Sequence, residues 1–209
     1  MTAEARKHAV EGGSPAGRTQ SRRPASRRKA PARPAPPIRI GVISDNHGYL
    51  DPEVLEIFAG VAHIIHAGDI VDPRILAALE VVAPVTAVSG NLDTSGPTAD
   101  LPTEATGEVG GVRFVVAHKP KRLLKRLATG KVGVGEDRAR PDLVVWGHLH
   151  TPTVIWLDGQ LQLNPGTAAS PDEEDDGPTV AIVEVTKNGL AGQFVPLRRR
   201  MPEETGGRR

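Results

Sequence analysis

Seven residues between positions 45 and 150 carry side chains that bind divalent metal ions: Asp45, His47, Asp69, Asn91, His118, His148 and His150. They are far apart in sequence, yet each sits just after a short apolar run. Ile38 to Ile43 leads into Asp45-Asn46-His47-Gly48, Val61 to His66 into Ala67-Gly68-Asp69, and Val85 to Ser89 into Gly90-Asn91-Leu92-Asp93. Val112 to Ala117 ends at His118, and Leu143 to Trp146 ends in Gly147-His148-Leu149-His150. Carboxylates, an amide and imidazoles suit Mn, Fe, Zn and similar ions. The chain has no cysteine, which excludes thiolate ligands, disulfides and a Cys nucleophile. Residues two apart on an extended segment point the same way, so Asp45 with His47, and His148 with His150, can each address one cavity. Singly these motifs are ordinary turns, since Asp, Asn and Gly all favour them. Their occurrence together, each at the end of an apolar strand, points to a metal centre.

The elements that must position these residues alternate. Asp51-Pro52-Glu53 and Asp72-Pro73 are helix starts, with an acid before a proline at the first helical position. The first helix presents Val54, Leu55, Ile57 and Phe58, and the second Ile75, Leu76 and Leu79. A third opens at Pro120 and closes near Gly130, with Leu123, Leu124 and Leu127 inward and Lys121, Arg122, Lys125 and Arg126 mostly outward. Strands alternating with helices predict an α/β fold with parallel strand pairs, whose strand ends open onto the ligand crevice. The later part changes style. Val154 to Leu157 and Gln160 to Leu163 flank Asp158-Gly159, and Thr179 to Thr186 and Leu190 to Leu197 flank Asn188-Gly189. Both are hairpin signatures.

Charge divides the chain. Residues 1–37 hold nine Lys or Arg against two acids, a formal +7, while the remainder is −6 and the whole chain +1. This Pro-, Arg- and Ala-rich segment has no apolar period, so it is expected to be disordered. It reads as a solubilising tail, a weak contact for nucleic acid or an acidic surface, or a transit segment. Residues 38–197 form the expected domain, and 198–209 a second polar tail. No run is long enough for a membrane helix, and no secretory apolar stretch opens the chain, so a cytoplasmic protein is expected. No exposed apolar stripe is expected to decide whether the chain self-associates.

With the motifs Asp45-x-His47, Gly68-Asp69, Gly90-Asn91-x-Asp93, His118, Gly147-His148-x-His150 and Asn164-Pro165-Gly166-Thr167, residues 38–197 resemble the calcineurin-like metallophosphoesterases, in particular the small bacterial and archaeal phosphodiesterases. The resemblance implies a four-layer α-β-β-α sandwich of two mixed sheets flanked by helices. It implies two divalent ions, Mn foremost, with Fe, Ni or Zn as alternatives. Asp45, His47, Asp69 and His150 would hold one, and Asp69, Asn91, His118 and His148 the other, with Asp69 bridging. A water held by both ions would lose a proton and attack phosphorus in line. Asn91 would also touch a phosphate oxygen, and Asp93 would orient a ligand or water from behind.

This chain departs from the pattern at three places. Leu92 stands where larger phosphatases of the fold often carry a leaving-group histidine, and it cannot donate a proton. Lys119 stands where glycine is usual, and with Lys121 and Arg122 it is either a phosphate contact or a solvated helix start. Asp172-Glu173-Glu174-Asp175-Asp176 replaces a basic residue and would repel a polyanion. Leu92 and the acidic run together favour a small phosphodiester as substrate over a long nucleic acid. A phosphomonoesterase or nucleotidase is the alternative within the class, and a non-catalytic scaffold of the same fold, which has lost its ligands, the alternative outside it. Relatives are often oligomeric, so a homo-oligomer is possible.

Overall fold

The computed structural model describes residues 37–169 and 177–198. The predicted basic tail (Pro37 apart), the acidic run 172–176 and all of the C-terminal tail beyond Arg198 lie outside the described residues.

Three of the predicted apolar strands pair in parallel: β1 (Ile38–Ile43), β2 (His63–His66) and β3 (Val85–Ala87). The hairpin β9 (Thr179–Thr186) and β10 (Gly189–Pro196) joins on the far side of β1, antiparallel, giving the order β10-β9-β1-β2-β3. The second sheet has the order β4-β5-β6-β8-β7. In it β5 (Val112–Ala117), β6 (Leu143–Trp146) and β8 (Gln160–Asn164) run parallel, while β4 (Glu104–Val109) and β7 (Thr153–Leu157) flank them antiparallel. Both sheets are therefore mixed.

Alternation along the strands sorts the core into layers. Ile40, Val42 and Ile65 of one sheet meet Phe114, Val116, Val145 and Leu163 of the other. The opposite face of the first sheet, with Ile43 and Ile64, packs on Val54 and Phe58 beside α1 (Glu53–Ile57) and on Ile75 and Leu79 of α2 (Arg74–Glu80). The outer face of the second sheet, with Val115, Val144 and Trp146, packs on Leu123 of α3 (Pro120–Ala128). Strands covered on both faces need apolar residues at successive positions, which is why β1 and β6 read as continuous runs. The layers are helix, sheet, sheet, helix, as the resemblance implied. Asp51 and Asp72 cap α1 and α2 as expected, accepting the amides of Glu53 and Arg74 at 2.9 Å each.

Two expectations are corrected. The sequence reading contains no β4, which pairs with β5 across Gly110 and Gly111 at φ 58° and 82°. Both turn residues lie at positive φ, the geometry of a type I′ hairpin, and Asp158-Gly159 at φ 52° and 77° repeats it between β7 and β8. Second, an exposed apolar stripe does exist. β7 is an edge strand, and Val154, Ile155, Trp156 and Leu157 are 39%, 45%, 55% and 51% exposed. These four belong to none of the three buried clusters, although β10 of the opposite sheet comes close to Val154 at Gly192.

Candidate metal centre

The seven predicted ligand residues lie on neighbouring strand ends drawn from both sheets. Asp45 and His47 follow β1, Asp69 follows β2, and Asn91 follows β3. His118 follows β5, and His148 and His150 follow β6. Tight turns at these ends let the side chains converge. Asp45, His47, Asp69, His148 and His150 all have positive φ, between 49° and 72°. Non-glycine residues pay roughly 1 kcal/mol or more for this conformation. Glycines make the approach possible: a Cβ on Gly90 would fall on the Asp69 carboxylate, and one on Gly147 on the Ser44 hydroxyl and Asp45 carboxylate.

Two groups of ligand atoms result, each with members within 4.8 Å of one another: Asp45, His47 and His150, and Asp45, Asp69 and His118. Asp45 Oδ1 lies 3.3 Å from His150 Nε2 and 3.8 Å from His47 Nε2. Asp69 Oδ2 lies 3.8 Å from His47 Nε2 and 3.4 Å from His118 Nε2. The bridging role implied for Asp69 is compatible with this, and Asp45 belongs to both groups as well. Asn91 Oδ1 lies 3.0 Å from His118 Nε2. His148 is outside both groups. Its exposed ring sits edge-on to His118 with centroids 5.1 Å apart, and its amide donates to Asp45 Oδ2 at 3.0 Å.

The donor set fits metal ions. Asp45 Oδ1 is buried without a hydrogen-bond partner, and a carboxylate oxygen so placed is costly unless a cation faces it. His118 gives the clearer sign. Its Nδ1 is 2.8 Å from the Ala67 carbonyl, which can only accept, so Nδ1 carries the proton. In the neutral ring Nε2 then presents a lone pair to two more acceptors, Asn91 Oδ1 and Asp69 Oδ2. A shared cation resolves three converging acceptors. Without a metal a proton serves. Burial lowers the His118 pKa, but the Asp69 hydrogen bond, the Asp45 charge and the Ala67 carbonyl outweigh it, and the net shift is upward. For Asp69 burial acts upward, and the His118 contact, the Leu92 amide and the His47 charge overcome it to leave the pKa lowered. His148 is shifted down by burial and by the His118 and Lys119 charges.

Buried polar residues hold this arrangement. Asp93 accepts the amides of Val71 and Gly90, both at 2.7 Å, and of Ile70 at 3.0 Å. Its carboxylate thereby fixes the chain just after Asp69 and just before Asn91, which is compatible with an orienting role. Thr167 donates to the Asp45 carbonyl at 2.9 Å, and Asn164 to the Gly147 carbonyl at 3.4 Å, so the Asn-Pro-Gly-Thr segment braces two ligand loops. Asn46, whose role the sequence did not suggest, donates to the Tyr49 carbonyl and meets His66 Nε2 at 2.6 Å. Sequence reasoning also missed Glu104, which pairs with Arg126, because it missed β4.

His66 is locked neutral. The Gly68 amide donates to its Nδ1 at 3.2 Å, so the ring proton sits on Nε2 and points at Asn46. Complete burial, opposed by the charges of Asp93 and Asp69, leaves its pKa near 3, against 6.5 when free. Protons then bind the unfolded chain preferentially between those values. The stabilisation is complete above pH 6.5 and is lost as pH falls from there towards 3, by up to about 1.4 kcal/mol per unit. Urea titrations of the metal-free protein at pH 7.5, 6 and 5 should show this loss. His66→Gln should be less stable at pH 7.5 yet lose less per pH unit, and equal slopes would refute the assignment.

The comparisons agree with this geometry. A model of the calcineurin-like phosphoesterase superfamily domain matches residues 38–188. A probable metallophosphoesterase of Methanocaldococcus jannaschii is 36% identical over 143 residues, covering 63% of this chain and 69% of that protein. Another, from Methanothermobacter thermautotrophicus, is 30% identical over 164 residues, covering 75% and 91%. Among solved structures, an archaeal phosphodiesterase superposes with a TM-score of 0.59 at 23% identity, covering 76% of this chain and all of that one. Zinc-bound Vps29 from Entamoeba histolytica superposes with a TM-score of 0.55 at 16% identity, covering 76% and 98%. At these identities the two structures establish likeness of fold.

Proposed function

The chain belongs to the calcineurin-like phosphoesterase superfamily, and from that premise we propose that it is a binuclear metal-dependent phosphodiesterase acting on a small diester. The observation that carries this reading is the convergence of Asp45, Asp69, His47, His118 and His150 around an orphaned carboxylate oxygen and an imidazole lone pair. Asp45, His47 and His150 would hold one ion, and Asp69, Asn91 and His118 the other, with His148 at its rim. Bound divalent ions would supply Lewis acidity towards the phosphoryl oxygens and a hydrolytic water of lowered pKa. We take Mn as the first candidate ion, then Fe, Ni or Zn.

The chain's own residues do the rest. Ala67 fixes the His118 tautomer, and the Leu92 amide fixes Asp69 by donating to Oδ1 at 2.7 Å. Asn91 is exposed at the cavity and can donate its amide to a phosphate oxygen. The half-exposed Leu92 side chain offers no proton to a departing alkoxide, which favours a diester with a good leaving group. A scaffold without metals would have no need of seven competent ligand residues. No described helix is long and apolar enough to cross a membrane, and with no cysteine in the chain we assign the protein to the cytoplasm.

The test is hydrolysis of bis(p-nitrophenyl) phosphate after loading with Mn²⁺, Ni²⁺ and Zn²⁺ in turn, beside p-nitrophenyl phosphate. Turnover of the diester with at least one ion is expected, with the monoester slower. No turnover with any ion would overturn the reading, and a faster monoester would replace it with a phosphomonoesterase.

A further inference from the structure

Beside the metal centre, a pocket of about 320 Å³ runs from Asn91 and His118 down between β4 and α3. Its charged lining is Lys119, Arg122, Arg126 and Glu104. The spacing puts the three cations on one side of α3: Lys119 is the residue before the helix, Arg122 follows three later and Arg126 four after that. Lys121 and Lys125 lie on other sides and do not line the pocket. Glu104 pairs with Arg126, which fixes the far wall and cancels one charge. Among the described residues Lys119 and Arg122 have no such partner. Lys119 is close enough to the centre for its charge to bear on His148.

Two cations with no described acid paired to them line a pocket that shares Asn91 and His118 with the metal site. Resting on the phosphodiesterase reading, we propose that this pocket is a subsite for a second phosphoryl group, so that the preferred substrates are small diesters carrying a terminal phosphate on the moiety that lies over Asn91 and His118. The volume suits a phosphate and part of a sugar, near the lower end for ligand sites. Arg122 offers a planar fork to the phosphate oxygens and Lys119 a mobile ammonium. The charge count matches one extra phosphate of charge near −2. A polymer's backbone would demand more cations along a track, and the pocket ends at the Arg126–Glu104 pair.

The dinucleotides pApA and ApA, which differ only by a 5′-phosphate, test this. The expected kcat/KM is about 10- to 100-fold higher for pApA, the scale of one or two charge-assisted contacts. Lys119→Ala with Arg122→Ala should bring that ratio close to 1, whereas Lys121→Ala, which removes the same charge outside the pocket, should keep it. Equal cleavage of the two dinucleotides by the wild type would overturn the proposal, as would a Lys121→Ala effect as large as that of the pocket variants. If bis(p-nitrophenyl) phosphate is cleaved and pApA is not preferred, the subsite alone fails. If no diester is cleaved, the phosphodiesterase reading fails, and calorimetric binding of pApA and ApA to the metal-free protein decides the subsite. Tighter pApA binding that depends on Lys119 and Arg122 upholds it, and equal binding ends it.

Discussion

Asp69→Asn should reduce metal-dependent diester hydrolysis by about 10³-fold or more, which corresponds to roughly 4 kcal/mol of transition-state stabilisation. The substitution keeps size and shape. The amide oxygen can still accept the Leu92 amide that now reaches Asp69 Oδ1 at 2.7 Å. What changes is the atom 3.4 Å from His118 Nε2 and 3.8 Å from His47 Nε2, which loses its charge or becomes an N–H2. A donor pointed at that space cannot face a cation. Metal analysis should therefore fall from about two ions per chain to one or fewer, while circular dichroism stays unchanged. Full activity in Asp69→Asn would remove this carboxylate from the centre. The same experiment on Asp45 is less specific, because Asp45 belongs to both groups of ligand atoms.

Removing the ions should lower the melting temperature by roughly 5–10 °C. An ion at a hundred times its Kd stabilises the folded chain by about 2.7 kcal/mol, and each kcal/mol shifts a domain of this size by about 2–4 °C. The metal-free chain keeps the Asp45 and Asp69 carboxylates close together and leaves Asp45 Oδ1 buried without a partner. The gap between loaded and stripped protein should also depend on pH. His118 has a raised pKa without metal, so its proton stabilises the stripped protein below that value and competes with the ion. As pH falls through the raised His118 pKa, the gap should narrow. Scanning calorimetry with and without chelator at pH 6, 7 and 8 measures both. No shift at any pH would argue for a chain that does not use ions.

Most of the candidate centre's residues were legible because they sit in strand-terminal turns. Asp45, Asp69, His118 and His148 each end or follow a short, mostly apolar run, and such runs mark buried parallel strands whose ends share a crevice. The missing strand shows where that logic stops. Glu104–Val109 is a half-buried edge, so its apolar content is low, and Gly107 looks like a breaker. In the fold Gly107 is there because the Phe114 ring lies where a side chain would begin. With β4 went Glu104 and hence the meaning of Arg126, which reads from the helix pattern as simply outward-facing. The exposed apolar residues of β7 were hidden differently. A hairpin signature gives pairing and turn type, but which strand ends at the sheet edge depends on the order in which distant segments assemble. The tautomers of His66 and His118 depend on the Gly68 amide and the Ala67 carbonyl, contacts that no spacing rule supplies.

The left-handed backbone at Asp45, His47, Asp69, His148 and His150 bears on how such a protein changes over evolutionary time. At each of these positions glycine would relax the backbone, although Asp and His tolerate it better than most side chains. While the ions are needed, selection holds the strained residues in place. Once catalysis is no longer selected, substitution by glycine at these positions eases the backbone and is no longer opposed, so loss of the ligands can proceed without a cost in backbone strain. The return route demands several unfavourable changes together before any ion rewards them. A lineage of this fold that has lost its centre should rarely regain it.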